Sequence, residues 1–161
     1  MVTRFKLTKN QYFGLFAPGF AFFALQQLPY IIMPLINMQS NPLMEMQDKS
    51  VILNILEKTL GVSCVVFMLF LVRGGAKRFS LGSRKEIAFF IAAMLAISVY
   101  FIAWIFYFRG FHSLLFMLCT LVAMPPVYYA FIGLWRGNYV LTVLGCIFLI
   151  AHISNVWYNL K

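Results

Sequence analysis

Acid is the scarcest ordinary chemistry in this chain: four Asp and Glu stand against 13 Lys and Arg in 161 residues, and only 11% of side chains are charged. A soluble domain carries about a quarter of its residues charged, so a conventional water-facing surface is excluded. Cysteine is no better supplied. Cys64, Cys119 and Cys146 form an odd, scattered set inside apolar blocks, without metal-ligand spacing, and are read as small apolar packers rather than a disulfide framework. With two histidines and four acids in the whole chain, no metal-ligand cluster and no nucleophile, base and orienter set can be assembled. Gly74-Gly75-Ala76-Lys77-Arg78 lacks the Lys-Ser/Thr pair of a nucleotide loop. The basic residues lie in short loops rather than in any nucleic-acid-binding module, and no cofactor motif is present.

What the chain has in excess is hydrocarbon: 63% of residues are hydrophobic and the mean hydropathy is +0.87. The apolar residues arrive in blocks of about 20, the length at which a helix rising 1.5 Å per residue covers roughly 30 Å of bilayer. The short alternating segments of a membrane barrel are not visible. The expected fold is therefore all-α, a single polytopic transmembrane helix bundle occupying 1–161, with spans at about 12–36, 51–72, 87–108, 114–135 and 139–158. The first apolar block is too long for a signal peptide and has no small-x-small cleavage site after it, so it is counted as a span. Pro29 is expected to kink it beside Gln26 and Gln27, and Pro125-Pro126 to bend the fourth span.

Local signals mark the ends. Asp48 or Ser50 is expected to cap the second helix, Ser83 with Glu86 the third as a capping box, Ser113 the fourth and Asn138 the fifth. Arg73-Gly74, Arg109-Gly110 and Arg136-Gly137 read as three helix stops, the arginine complementing the dipole and the glycine supplying a left-handed cap. Five spans put the termini on opposite sides. With the N-terminus cytoplasmic and the C-terminus outside, nine basic residues (Arg4, Lys6, Lys9, Arg73, Lys77, Arg78, Arg84, Lys85, Arg136) lie inside against three outside (Lys49, Arg109, Lys161). That is the arrangement of a multi-pass protein of the cell membrane, whose basic cytoplasmic face attracts anionic lipid head groups. Tyr12, Trp135, Tyr139, Trp157 and Tyr158 fall where an interfacial aromatic belt belongs.

Polar residues inside spans carry the functional expectation, because each charge at the centre of a membrane helix costs about 3 kcal/mol on insertion scales. Glu57 and Lys58 enter the outer half of the second span, Asn54 shares the Glu57 face, and His152 and Asn155 lie at matching depth on the fifth. Gln26 and Gln27 stand near the middle of the first. Counting from Val51 and Tyr158 places Glu57 and His152 each about 9 Å deep, and they are expected to pair, whereas Lys58 can reach outward to water along its stem. These seven residues are the candidate ligand-binding set of an outward-facing pocket for a small organic molecule or lipid, bound or handed on for transport. Two alternatives remain open. One is a non-catalytic accessory or immunity subunit docking on a protein partner through Ala88, Ala92 and Ala96, and the other a lipid-modifying enzyme using Glu57 and His152 as acid and base. In size and span number alone the chain is similar to the substrate-capturing subunits of vitamin transporters and to five-span translocator proteins, but the residue motifs of both families are missing.

Overall fold

A computed structural model describes residues 3–6, 11–36, 38, 40–74 and 79–161. The chain is mostly helical, in the order β1 (Thr3–Lys6), β2 (Gln11–Gly14), α1 (Ala17–Ile32), a 3-10 turn (Met33–Leu35), α2 (Val51–Phe70), β3 (Leu71–Arg73), α3 (Arg84–Phe108), α4 (Leu114–Arg136) and α5 (Tyr139–Leu160). Four of the helices, α2 to α5, are long and apolar enough to cross a membrane, which marks the chain as a membrane protein.

The first departure from an all-helical expectation lies at the N-terminal end. β1, β2 and β3 form a three-stranded antiparallel sheet, with Tyr12 opposite Val72 and Phe13 opposite Leu71. Helix α1 therefore begins at Ala17 and not at Tyr12. The apolar run Tyr12 to Phe16 is indistinguishable by hydropathy from the helix it precedes. Pro18 is the mark of the true start, since its missing N–H falls where a helix has no partner for one. The same pairing ends α2 at Phe70 and puts Arg73 in a strand, so Arg73-Gly74 is not a helix stop. The other two stops behave as expected: Gly110 and Gly137 have φ of 87° and 63°.

The prolines act differently from each other. Pro29 lies inside α1, which continues to Ile32 instead of breaking. At Pro125-Pro126 the absent donors free the carbonyls of Leu121 and Val122. The chain answers with a π-helical stretch over Met117–Val122, in which Ala123 N donates to Leu118 O at 3.0 Å, before a regular helix resumes at Met124.

Capping follows the sequence in part. Ser50 Oγ accepts from Leu53 N and Asn138 Oδ1 from Leu141 N. Ser83 Oγ accepts from Glu86 N, and the Glu86 carboxylate reaches back to the backbone N–H of Ser83 as a capping box requires, and also to Gly82 N and Ser80 Oγ. Ser113 makes no cap bond.

The core sits between α3, α4 and α5. Ala93, Ala96, Tyr100, Ala103, Trp104 and Tyr107 recur at helical spacing on the buried face of α3. Gly145 lets α5 touch α4, since a Cβ there would stand 2.8 Å from Ala130 N. The alanine stripe expected to be one partner-binding face is divided: Ala96 is buried in the bundle, Ala92 is half-buried and Ala88 is exposed. Cys64 is buried as expected, while Cys119 and Cys146 are exposed on the outside of the bundle rather than packed within it. Trp135 is not interfacial either. It is 3% exposed, ringed by Phe16, Phe22, Phe79 and Phe90, and donates to Ser80 O at 2.8 Å. Tyr139, Trp157 and Tyr158 are exposed near helix ends, as a belt requires.

The two ends of the bundle are pinned independently. At the sheet end Phe16 N donates to Leu69 O at 2.8 Å, and Asn138 Nδ2 ties α5 to the carbonyls of Phe67 and Leu71. Lys6, Arg73, Arg84, Lys85 and Arg136 belong to this end. Lys9, Lys77 and Arg78, and the side chain of Arg4, lie outside the described residues. At the opposite, loop end Tyr107 OH donates to Asn41 Oδ1 at 2.7 Å, and Lys49 N donates to Asn159 Oδ1 at 2.9 Å.

Candidate functional site

Glu57 stands six residues into α2 and faces α5. His152 Nδ1 lies 2.8 Å from Glu57 Oε1, and Asn155 Nδ2 donates to Glu57 Oε2, so both carboxylate oxygens are held by one helix. The spacing is what makes this work: residues 152 and 155 differ by three, the interval that stacks two side chains on one helix face. Asn155 is 1% exposed and Oδ1 accepts from Asn159 Nδ2 at 3.1 Å. With the bond from Lys49 N, a continuous chain of hydrogen bonds runs from the loop before α2, down α5, to the carboxylate. A buried amide satisfied at both ends in this way is a rigid spacer. The His152 ring is stacked on Phe148, centroids 5.0 Å apart, which fixes its plane.

Beside this pair lies a cavity of about 510 Å³, within the range of about 300–1,000 Å³ typical of small-molecule sites. Helix α2 lines it with Glu57, Lys58, Gly61, Val62, Val65 and Val66, one face about 14 Å long. α1 contributes Phe23, Gln26, Gln27 and Tyr30, α4 Pro125 and Tyr129, and α5 Phe148 and His152. Its origin is the uneven meeting of α1 and α2. At the sheet end the two touch, Gly19 lying against Met68 O and Leu69, whereas further along their facing side chains border empty space.

The polar groups of the cavity are not equivalent. Gln26 is buried, and its Oε1 accepts from Tyr129 OH at 3.0 Å and from Gln27 Nε2 at 2.6 Å. That leaves the Gln26 amide nitrogen as a donor and the Gln27 oxygen as an acceptor. His152 keeps Nε2, the ring nitrogen Glu57 does not hold. Glu57 forms its ion pair with His152, and among the described residues no carboxylate lies within 4.0 Å of the exposed Lys58 ammonium.

Five of the seven sequence candidates thus border one cavity: Gln26, Gln27, Glu57, Lys58 and His152. Asn155 stands behind it, as the support of Glu57. Asn54 is not brought there; its Nδ2 donates to Asp48 Oδ2 at 2.6 Å in the turn before α2. Sequence reasoning missed Tyr30, Tyr129 and Phe148. Tyr30 follows Gln26 by four and Phe148 precedes His152 by four, so each shares a helix face with a residue already singled out. Tyr129 carried no such signal.

A second, polar pocket at the loop end, about 430 Å³, contains His112. Both its ring nitrogens are engaged, Nδ1 with Ser40 Oγ at 3.3 Å and Nε2 with the Tyr107 carbonyl at 3.1 Å, which makes it a tie between loops. Among the described residues no three His, Cys, Asp or Glu side chains are grouped to hold a metal. No family model, curated protein or solved structure matches this chain.

Proposed function

We propose that the chain is a non-catalytic binding protein of the cell membrane, and that the cavity between α1 and α2 receives a small organic molecule or lipid, for retention or for transfer to a transport partner. The observation that carries this reading is the gathering of polar side chains from α1, α2 and α5 on one cavity whose remaining walls are aliphatic and aromatic. Intramembrane polar groups with a purely structural task pair off with each other; here Lys58, the Gln26 amide and His152 Nε2 keep capacity for a further partner.

The same reading takes α1 as a fifth crossing. β2 is paired with β3 at the sheet end, while the chain after the 3-10 turn is bonded to Tyr107 and Asn159 at the loop end. Helix and turn together are about 30 Å long, enough to join those two faces through hydrocarbon. The basic sheet end is then cytoplasmic, with anionic lipid head groups as its neighbours, and the cavity opens in the outer half.

The accessory-subunit reading draws less support, because Ala96 is already spent inside the bundle. The enzyme reading, with Glu57 and His152 as acid and base, draws less support, because both Glu57 oxygens are already occupied by His152 and Asn155.

Native mass spectrometry of the protein in mild detergent, against a panel of lipids and metabolites, tests the proposal. A ligand retained by the native chain and lost in Val65→Trp, which fills the cavity without touching its polar groups, is the expected result. Retention unaffected by that variant, or no retained mass at all, would overturn it.

A further inference from the structure

The cavity has a direction and a charge, and together these narrow what it takes. Its polar groups lie toward the loop end of α2, at Glu57 and Lys58; two turns further on, its α2 wall is Val62, Val65 and Val66. Val62 is 64% and Val66 43% exposed, so the apolar part of the cavity is continuous with the outer surface of the bundle between α1 and α2. In a helix that crosses a bilayer, that outer surface faces lipid chains. A purely water-soluble ligand would leave this flank against hydrocarbon with nothing gained. A molecule with a polar head and an alkyl chain would cover both parts.

The head can be read from which groups are already satisfied. Glu57 is the acid of the cavity, and His152 and Asn155 hold its two oxygens. Gln26 Oε1 accepts twice. Among the side chains that line the cavity, Lys58 brings an ammonium without an ion-pair partner among the described residues and Gln26 an amide nitrogen, against one amide oxygen left over, that of Gln27. His152 Nε2 either donates or accepts, according to the proton it carries. An ammonium and an amide N–H on the walls of one apolar slot fit an oxyanion.

Resting on the cavity reading above, we infer that the occupant is a bilayer amphiphile with an anionic oxygen head, a carboxylate or a phosphate, held by Lys58 and Gln26. Its alkyl chain leaves between α1 and α2 over Val62 and Val66. Glu57 does not bind the head. Its place is to hold His152 against Phe148 and so keep the wall beside Lys58 in position.

The test is a native mass spectrometry titration of the full chain in detergent with probes sharing one alkyl chain: oleate, oleyl alcohol and oleylamine, with dioleoyl phosphatidate, dioleoyl phosphatidylcholine and inorganic phosphate alongside. Oleate and phosphatidate are expected to bind at least about tenfold more tightly than the alcohol or phosphatidylcholine, the ratio that 1.4 kcal/mol of charge recognition supplies. Lys58→Met should abolish that preference. Lys85→Met, an exposed lysine at the sheet end, should leave it intact. Val65→Trp, or Val62→Trp should the first fail to fold, should remove binding of every amphiphile.

Equal binding of oleate and oleyl alcohol, or stronger binding of oleylamine, overturns the anionic head while leaving a cavity that Val65→Trp still blocks. Inorganic phosphate binding as tightly as phosphatidate overturns the amphiphile. An equal loss in Lys58→Met and Lys85→Met reduces the effect to general surface charge and overturns the site. Binding of all probes unchanged in both tryptophan variants overturns the cavity reading itself.

Discussion

Replacing Glu57 by Gln changes one atom of the side chain and removes a function from two neighbours at once. The carboxylate accepts from His152 on one oxygen and from Asn155 on the other. An amide keeps a single acceptor, so whichever way Gln turns, its NH₂ confronts one of the two former donors. A charge-assisted hydrogen bond at a site only 18% exposed is worth about 1.5–3 kcal/mol, and His152→Ala removes the same bond from the other side. Because the two variants delete a shared interaction, the double variant should lose less than the sum of the singles, by about 1–2 kcal/mol. For a chain of this length that is about 2–8 °C in thermal midpoint. Four proteins melted in the same detergent at one scan rate give the result directly. A double variant whose shift equals the sum of the singles to within about 1 °C would refute the pairing and, with it, the bracing of His152 by Glu57.

Other expectations follow from single contacts. Asn155→Leu should cost at least about 2 kcal/mol, because it strands Glu57 Oε2 and Asn159 Nδ2 together, and Asn155→Asp should cost more by setting a second acid against the first; thermal midpoints rank them. Gly145→Ala should destabilise by about 1–3 kcal/mol, since the added carbon meets Ala130 backbone that cannot yield. Gly110→Ala, in open space at φ 87°, should cost about 1 kcal/mol through backbone strain alone, and the same melts separate them. Cysteines placed singly at Lys6, Lys85 and Gln47, with the native cysteines changed to Ala, should react with an impermeant maleimide from one side for Lys6 and Lys85 and from the other for Gln47. Lys6 and Gln47 labelling from the same side would remove α1 as a crossing.

Depth counting was enough to bring Glu57 and His152 together from sequence, because a membrane helix has a fixed rise and few polar residues to match. Asn155 came with them for the same reason. Asn54 did not follow, although it lies on the Glu57 face by spacing, since the first turn of a helix offers a nearer partner and Asp48 takes it. The sheet was illegible for a different cause. Tyr12, Phe13, Leu71 and Val72 are as apolar as the helices they adjoin, and strand pairing between segments separated by α1 and α2 leaves no local periodicity to read. The glycine stops show the same limit: two of the three Arg-Gly pairs end helices, and the third differs only because residues far away in sequence draw Arg73 into a strand. The apolar walls of the cavity were likewise hidden, because Val62 and Val65 differ in nothing local from valines packed against a neighbour.

The two ends of α1 are fastened by different means, and the cavity lies between them. At the sheet end the fastening is backbone: strand pairing through β2, then Phe16 N to Leu69 O, with Gly19 admitting the close approach. At the loop end it is side chain, Asn41 joining Met33 Sδ to Tyr107 OH. Between these points α1 is held to the bundle through Gln26 and the Tyr128 and Tyr129 hydroxyls of α4, and through the Tyr30 ring, edge-on to Trp104 of α3 with centroids 5.4 Å apart. The opposite wall is stiffer, since Glu57 is tied through Asn155 and Asn159 to the backbone of the loop before α2. Any movement of α1 that changes the width of the cavity therefore has to part the Tyr30 ring from Trp104 and Gln26 from Tyr129.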